Sequence, residues 1–189
     1  MTGAGAAQAS IIPTLETVTF CNPCANGQTG WAWTYDISLD GTQKINTTAS
    51  GNPAFGTIYD FGVVLGSIQV TGLLQTDFTI TTPLTNSPAY KTSPTDDPGL
   101  ANIRYTAASG LNIPAGTDLG TLTAVSATPI SVVVDYDGQA TNAQFGKIAG
   151  NVSSVEAPTP LPEPTTAGLL LLGLSGTLAV ARRRTRRPI

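Results

Sequence analysis

The chain has 189 residues, 41% of them hydrophobic, 6% aromatic and 11% charged, with a net charge of −3. That length suits one domain with added segments, and the scarcity of long charged helix formers argues for β-structure with many turns rather than a helical bundle. Histidine is absent, which removes the usual general base, the commonest metal ligand and the physiological pH switch.

The charge is split. Residues 1–161 hold four basic residues (Lys44, Lys91, Arg104 and Lys147) against eleven acidic ones, a balance of −7. No nucleic-acid footprint exists there. The other five basic residues are Arg182, Arg183, Arg184, Arg186 and Arg187, all at the C-terminal end.

The opening stretch MTGAGAAQAS has no charged n-region and no apolar core, yet Ala7-Gln8-Ala9 has the A-x-A form that ends a signal peptide. Residues 1–9 are therefore expected to be the remnant of such a peptide, with the mature protein beginning near Ser10. Chance in an alanine-rich stretch is the alternative. Cys21 and Cys24 in CNPC allow a redox dithiol or a small disulfide. A redox motif of this spacing opens a helix in a βαβ pattern, which is missing here. Zinc would need two more ligands that no Cys or His supplies. A disulfide pinning a turn in an exported protein is the expected state.

The clearest strand is WAWTYDISL (31–39), with Trp31, Trp33, Tyr35, Ile37 and Leu39 on one face. Asp40-Gly41 after it is a hairpin-type turn signal. This aromatic stripe would serve a sugar platform if it faced solvent, and a core if it did not; the core is the expected role in a chain with two Trp. Further strands are expected at 14–20, 54–61, 67–73, 77–82, 101–107, 119–126, 130–136 and 145–155. Short strands at this spacing predict an all-β protein, a single β-sandwich of jelly-roll or immunoglobulin-like type over residues 10–155. The proline-rich segment 83–100 between them reads as a mobile surface loop or an interaction site.

Few residues offer chemistry. Asp135 and Asp137 in VVVDYDGQ lie two apart and point to one side of a strand or turn. They are weak candidates for calcium and weaker ones for acid–base work, while Asp-Gly reads as a turn. Asp96-Asp97 before Pro98 reads as a solvated turn, and Asp36 and Asp40 as exposed strand flanks. No G-x-S-x-G elbow and no phosphate-binding glycine loop occurs. No cofactor, no metal and no enzymatic activity is expected.

The end of the chain is more informative. In EAPTPLPEP (156–164) prolines alternate at 158, 160, 162 and 164, which favours an extended stalk. Residues 165–181 follow without charge or proline, seventeen residues that as a helix span about 25 Å, the short end of what crosses a bilayer. The cluster RRRTRR then places residues 182–189 in the cytoplasm and residues 1–164 outside, because cytoplasmic flanks carry the positive charge.

Pro162-Glu163-Pro164, a short apolar helix and a terminal arginine cluster, in this order, resemble the PEP-CTERM sorting signal of exopolysaccharide-producing, mostly Gram-negative bacteria. The resemblance covers roughly residues 160–187. The segments TIYDFG (57–62), NIRYTAASG (102–110), LGTLTAVS (119–126) and GKIAGNVSSVEAP before the stalk are similar to bodies of that family in a softer way. The resemblance implies an exported β-sandwich at the cell surface or in the matrix, possessing no generally established biochemical activity. It implies recognition at Pro162, Glu163 and Pro164 by a membrane-embedded exosortase, the arginines fixing topology, and an association with exopolysaccharide or biofilm. The alternative function is a carbohydrate- or calcium-binding module held by a permanent single-pass helix.

Overall fold

A computed structural model describes residues 11–48 and 53–160. Its elements in chain order are β1 (Ile11–Cys21), β2 (Gly30–Leu39), β3 (Gln43–Asn46), β4 (Phe55–Gly62), β5 (Gln69–Val70), α1 (Leu73–Asp77), β6 (Phe78–Thr81), β7 (Ala101–Ala107), β8 (Asn112–Ile113), β9 (Asp118–Ser126), β10 (Ser131–Asn142) and β11 (Ile148–Pro158). The described part is nearly all β, the class its composition predicts. One sheet has the order β1-β2-β9-β5; the other runs β6-β7-β4-β10-β3-β8, with β11 also paired to β10. Together the sheets curl into a half-barrel.

Alternation sets the core. Along β2, Trp33, Tyr35, Ile37 and Leu39 point inward and are buried, while Thr34, Asp36 and Ser38 point outward. They meet Ile58 of β4, Ile103 and Tyr105 of β7, and Val134 and Tyr136 of β10 in one cluster. Buried rings with polar tips need partners. The Trp33 indole N–H donates to the Thr128 carbonyl at 3.1 Å, and the Tyr35 hydroxyl to the Glu156 carbonyl at 2.9 Å. The second bond ties the smaller sheet to β11 of the larger one, and the first fastens β2 to the connection that leads from β9 into β10. Gly138 on β10 lets the two sheets approach, since a Cβ there would stand 2.7 Å from the Ile11 nitrogen.

Several local expectations change in the tertiary setting. Asp40-Gly41 does form a tight turn, with Gln43 N–H donating to the Asp40 carbonyl at 3.0 Å and Thr42 N–H to Asp40 Oδ1 at 2.8 Å. It is no hairpin, because β2 pairs with β1 and β9 whereas β3 pairs with β8 and β10. The turn carries the chain between sheets, which explains why Asp40 is buried rather than exposed. Asp137-Gly138 is not a turn but the middle of β10. Residues 67–73 contribute only the two-residue β5 and the start of α1. Glu156, Ala157 and Pro158, expected in the stalk, belong to β11, and Ala157 is fully buried.

Cys21 and Cys24 form a disulfide with a Cα–Cα distance of 4.8 Å, in the connection between β1 and β2. Closing so short a loop constrains the unfolded chain little. Reduction is therefore expected to cost at most about 2 kcal/mol, measured as the shift in urea unfolding with and without reductant. A larger loss would mean that the disulfide holds more than its own turn.

Candidate functional site

The chemistry-bearing residues collect on the outer face of the larger sheet. Asp135, Asp137 and Gln139 alternate along β10 and so share this face. Strand register places Asp137 opposite Thr57 of β4, and Thr57 opposite Arg104 of β7. Residues 83–100 lie over this row. The Thr95 N–H donates to Asp135 Oδ2 at 2.7 Å, the Ala89 N–H to Asp137 Oδ2 at 2.6 Å, and the Tyr90 N–H to Gln139 Oε1 at 2.8 Å. From the other side Arg104 donates to the Ser87 carbonyl at 3.1 Å and stacks 3.6 Å from the centre of the Phe55 ring. The segment expected to be a mobile surface loop or an interaction site is thus fastened to the sheet by side chains of β10 and β7. Its backbone N–H groups would otherwise go unpaired over the sheet.

Asp137 is the centre of this clasp and is fully buried. It also accepts from the Tyr59 hydroxyl at 3.0 Å, while its Oδ1 has no partner. Burial pushes its carboxyl above the usual aspartate range; the Ala89 N–H, Tyr59, Thr57 and the Arg104 charge oppose that shift in part. Burial, and then the Asp137 charge, push the Tyr59 phenol up. A general acid or base must reach its substrate. This carboxyl lies beneath the loop, so its raised pKa reflects structural burial.

Asp60, Asp96 and Asp97 stand near the end of the same loop. The Asp97 N–H donates to Asp60 Oδ1 at 2.8 Å, and Asp96 accepts from Asn102 Nδ2 at 2.9 Å. Burial raises the Asp60 carboxyl, and the charges of Asp96, Asp97 and Asp135 add to the rise. Asp97 also accepts from the Gly99 N–H, the turn expected before Pro98. Among the described residues no group of three His, Cys, Asp or Glu side chains is placed to hold a metal ion. Asp135 and Asp137, the candidates for calcium, do share a face, and each is occupied by a backbone N–H of the loop.

The aromatic stripe divides. Trp33 and Tyr35 are fully buried, so neither can present a ring face to a sugar. Trp31 is half-buried, edge-on to Phe20 at 5.4 Å between ring centres. Arg104, Tyr59 and Gln139 were not singled out by sequence. Gln139 continues the Asp135-x-Asp137 alternation, a signal hidden by reading Asp-Gly as a turn. The sorting residues Pro162, Glu163 and Pro164, the apolar run 165–181 and Arg182, Arg183, Arg184, Arg186 and Arg187 lie outside the described residues. Among the described residues no helix is long and apolar enough to cross a membrane. No protein-family model matches the chain, and no curated protein matches it.

Proposed function

We propose that this protein is an exported, non-enzymatic surface or matrix component. Its single β-domain, of sandwich type, is sorted and cleaved by an exosortase through a PEP-CTERM signal and associates with exopolysaccharide. The observation that carries this reading is the order of Pro162-Glu163-Pro164, a charge-free run over 165–181 and a terminal arginine cluster. In this reading the apolar helix holds Glu163 at the outer membrane–water interface, within reach of a membrane-embedded enzyme. The arginines keep the C-terminus in the cytoplasm. The Cys21–Cys24 disulfide supports export, since such bonds persist in oxidising compartments. The loop clasp supports a structural role, because its buried carboxyl serves the loop rather than a cleft.

The intact mass of the mature protein from its native host, with both termini sequenced, tests this. A C-terminus near Pro162, with the apolar run gone, is the expected result. A chain still ending at Ile189 in the membrane fraction would replace sorting with a permanent single-pass anchor. The sugar- or calcium-binding alternative has no specific support, given the buried Trp33 and Tyr35 and the occupied Asp135 and Asp137.

A further inference from the structure

Large apolar side chains cluster at one end of the larger sheet. Ile130, Val132 and Val133 are 65%, 38% and 65% exposed, Val63 is 52% and Leu84 is 56%. The strand register brings them to the same end. Ser131 pairs with Pro158 and Val133 with Glu156, so the start of β10 lies beside the end of β11. The Thr159 N–H donates to the Ile130 carbonyl at 2.7 Å, which keeps the chain against this end past the last strand. Pro160 passes Gly62, the residue before Val63; a Cβ on Gly62 would lie 3.7 Å from the Pro160 Cα. Gly62 in turn pairs with Ala101, and the neighbouring Asn102 donates through Nδ2 to the Leu84 carbonyl at 3.5 Å. These five exposed apolar residues therefore lie at the end of the larger sheet where the chain leaves the domain, with Val132 and Val133 on opposite faces of β10 so that the surface is the end itself rather than one face.

The length of chain beyond that point identifies what covers them. From Pro160 to Thr165, where the charge-free run begins, there are five residue steps. Even fully extended in a proline-type conformation they reach only about 15 Å. A stalk starting at 156 would have been longer, but β11 takes up its first residues. Given the reading of 165–181 as a membrane helix, on which this inference rests, the apolar end cannot move far from the bilayer. Tethering of this kind gives a local concentration of order millimolar, so a weak surface affinity suffices.

We propose that Val63, Leu84, Ile130, Val132 and Val133 form a membrane-contacting surface that seats the β-domain on the outer leaflet before the tail is cleaved. The partner is the acyl–headgroup boundary itself, entered by apolar side chains to a depth of about 5–10 Å. Asp60 and Asp135 are close in sequence to Val63 and Val133, and Glu156 is the cross-strand partner of Val133, so contact is apolar rather than electrostatic and weakens on anionic lipid.

The test uses the full chain, reconstituted in neutral phosphatidylcholine vesicles with brominated acyl chains. Tryptophan reporters are placed by Val133→Trp, by Leu84→Trp on a different element, and by Val152→Trp in the middle of β11 as the remote control. The unsubstituted chain supplies the background of Trp31 and Trp33. Each site is exposed, so an unchanged unfolding midpoint shows that the fold is retained. Flotation with the vesicles reports the anchor separately. The expected result is that the reporters at 133 and 84 lose roughly half their emission relative to non-brominated vesicles, and the reporter at 152 does not. A chain that floats while the reporters at 133 and 84 stay unquenched overturns the proposal and leaves the membrane helix standing. A response that grows with protein density assigns the surface to a second copy and also overturns it. A chain that fails to float removes the membrane-helix reading itself.

Discussion

Replacing Gly56 with alanine is expected to destabilise the domain by about 3 kcal/mol. Gly56 sits on the inner face of β4, opposite Gly138 on β10 and Tyr105 on β7. The Tyr105 ring lies across it, and a Cβ would overlap the ring at Cε2, Cζ and Oη. The ring has nowhere to go, because Tyr105 is fully buried and belongs to the central cluster. Either the ring leaves its rotamer or two central strands separate. Urea unfolding measures the cost as a lower midpoint at unchanged slope. Adding Tyr105→Leu should recover part of the loss that Gly56→Ala causes, so that the two changes are less than additive. An unchanged midpoint for Gly56→Ala would show that the ring moves aside freely.

Asp137→Ala is expected to cost about 2–3 kcal/mol and to release the loop over 83–100. The substitution orphans the Ala89 N–H and the Tyr59 hydroxyl, both otherwise paired to Oδ2. It also removes a buried carboxylate whose Oδ1 is unpartnered, which offsets part of the loss. Limited proteolysis should then cut within 83–100 faster than in the parent, and equal cutting would refute the clasp. Asp137→Asn keeps an acceptor without the charge, so its cost is smaller and its pH dependence differs. Burial raises the folded pKa of Asp137. Between the unfolded value of about 3.9 and that raised value, the folded state binds more protons than the unfolded state. Stability contributed by this group is therefore full below that window and declines as pH rises through it. The amide introduced by Asp137→Asn does not titrate, so the parent should lose stability relative to that variant across this window. Asp60 and Asp36 are raised as well, but both remain in each protein and cancel in the difference. A difference that is flat with pH would show an ordinary aspartate.

Period-two patterns were legible where a strand has one buried face. The strand expected at 101–107 has those bounds as β7, and the stripe from Trp33 to Leu39 faces inward as its spacing requires. β3 and β8 escaped notice because four and two residues carry too little pattern. The acidic pair was visible, and its shared face followed from its spacing. The loop that occupies both carboxylates was not legible, since Thr95, Ala89 and Tyr90 donate through backbone N–H groups that every residue except proline possesses.

By itself the sequence determined the all-β class, the proximity of the two cysteines, the acidic balance of the body and the tail on which the sorting proposal rests. These depend on composition and short-range order along the chain. Tertiary structure alone decided that Asp40-Gly41 joins two sheets, that Asp137-Gly138 continues a strand, and that β11 extends through Pro158. Turn propensities are worth little beside the burial of a sheet face, so strands take the partners that complete the core. Gly138 stays extended because Ile11 must pass close over it. The exposed side chains of Val63, Leu84, Ile130, Val132 and Val133 are scattered over seventy residues of sequence, and only strand pairing brings them to one end.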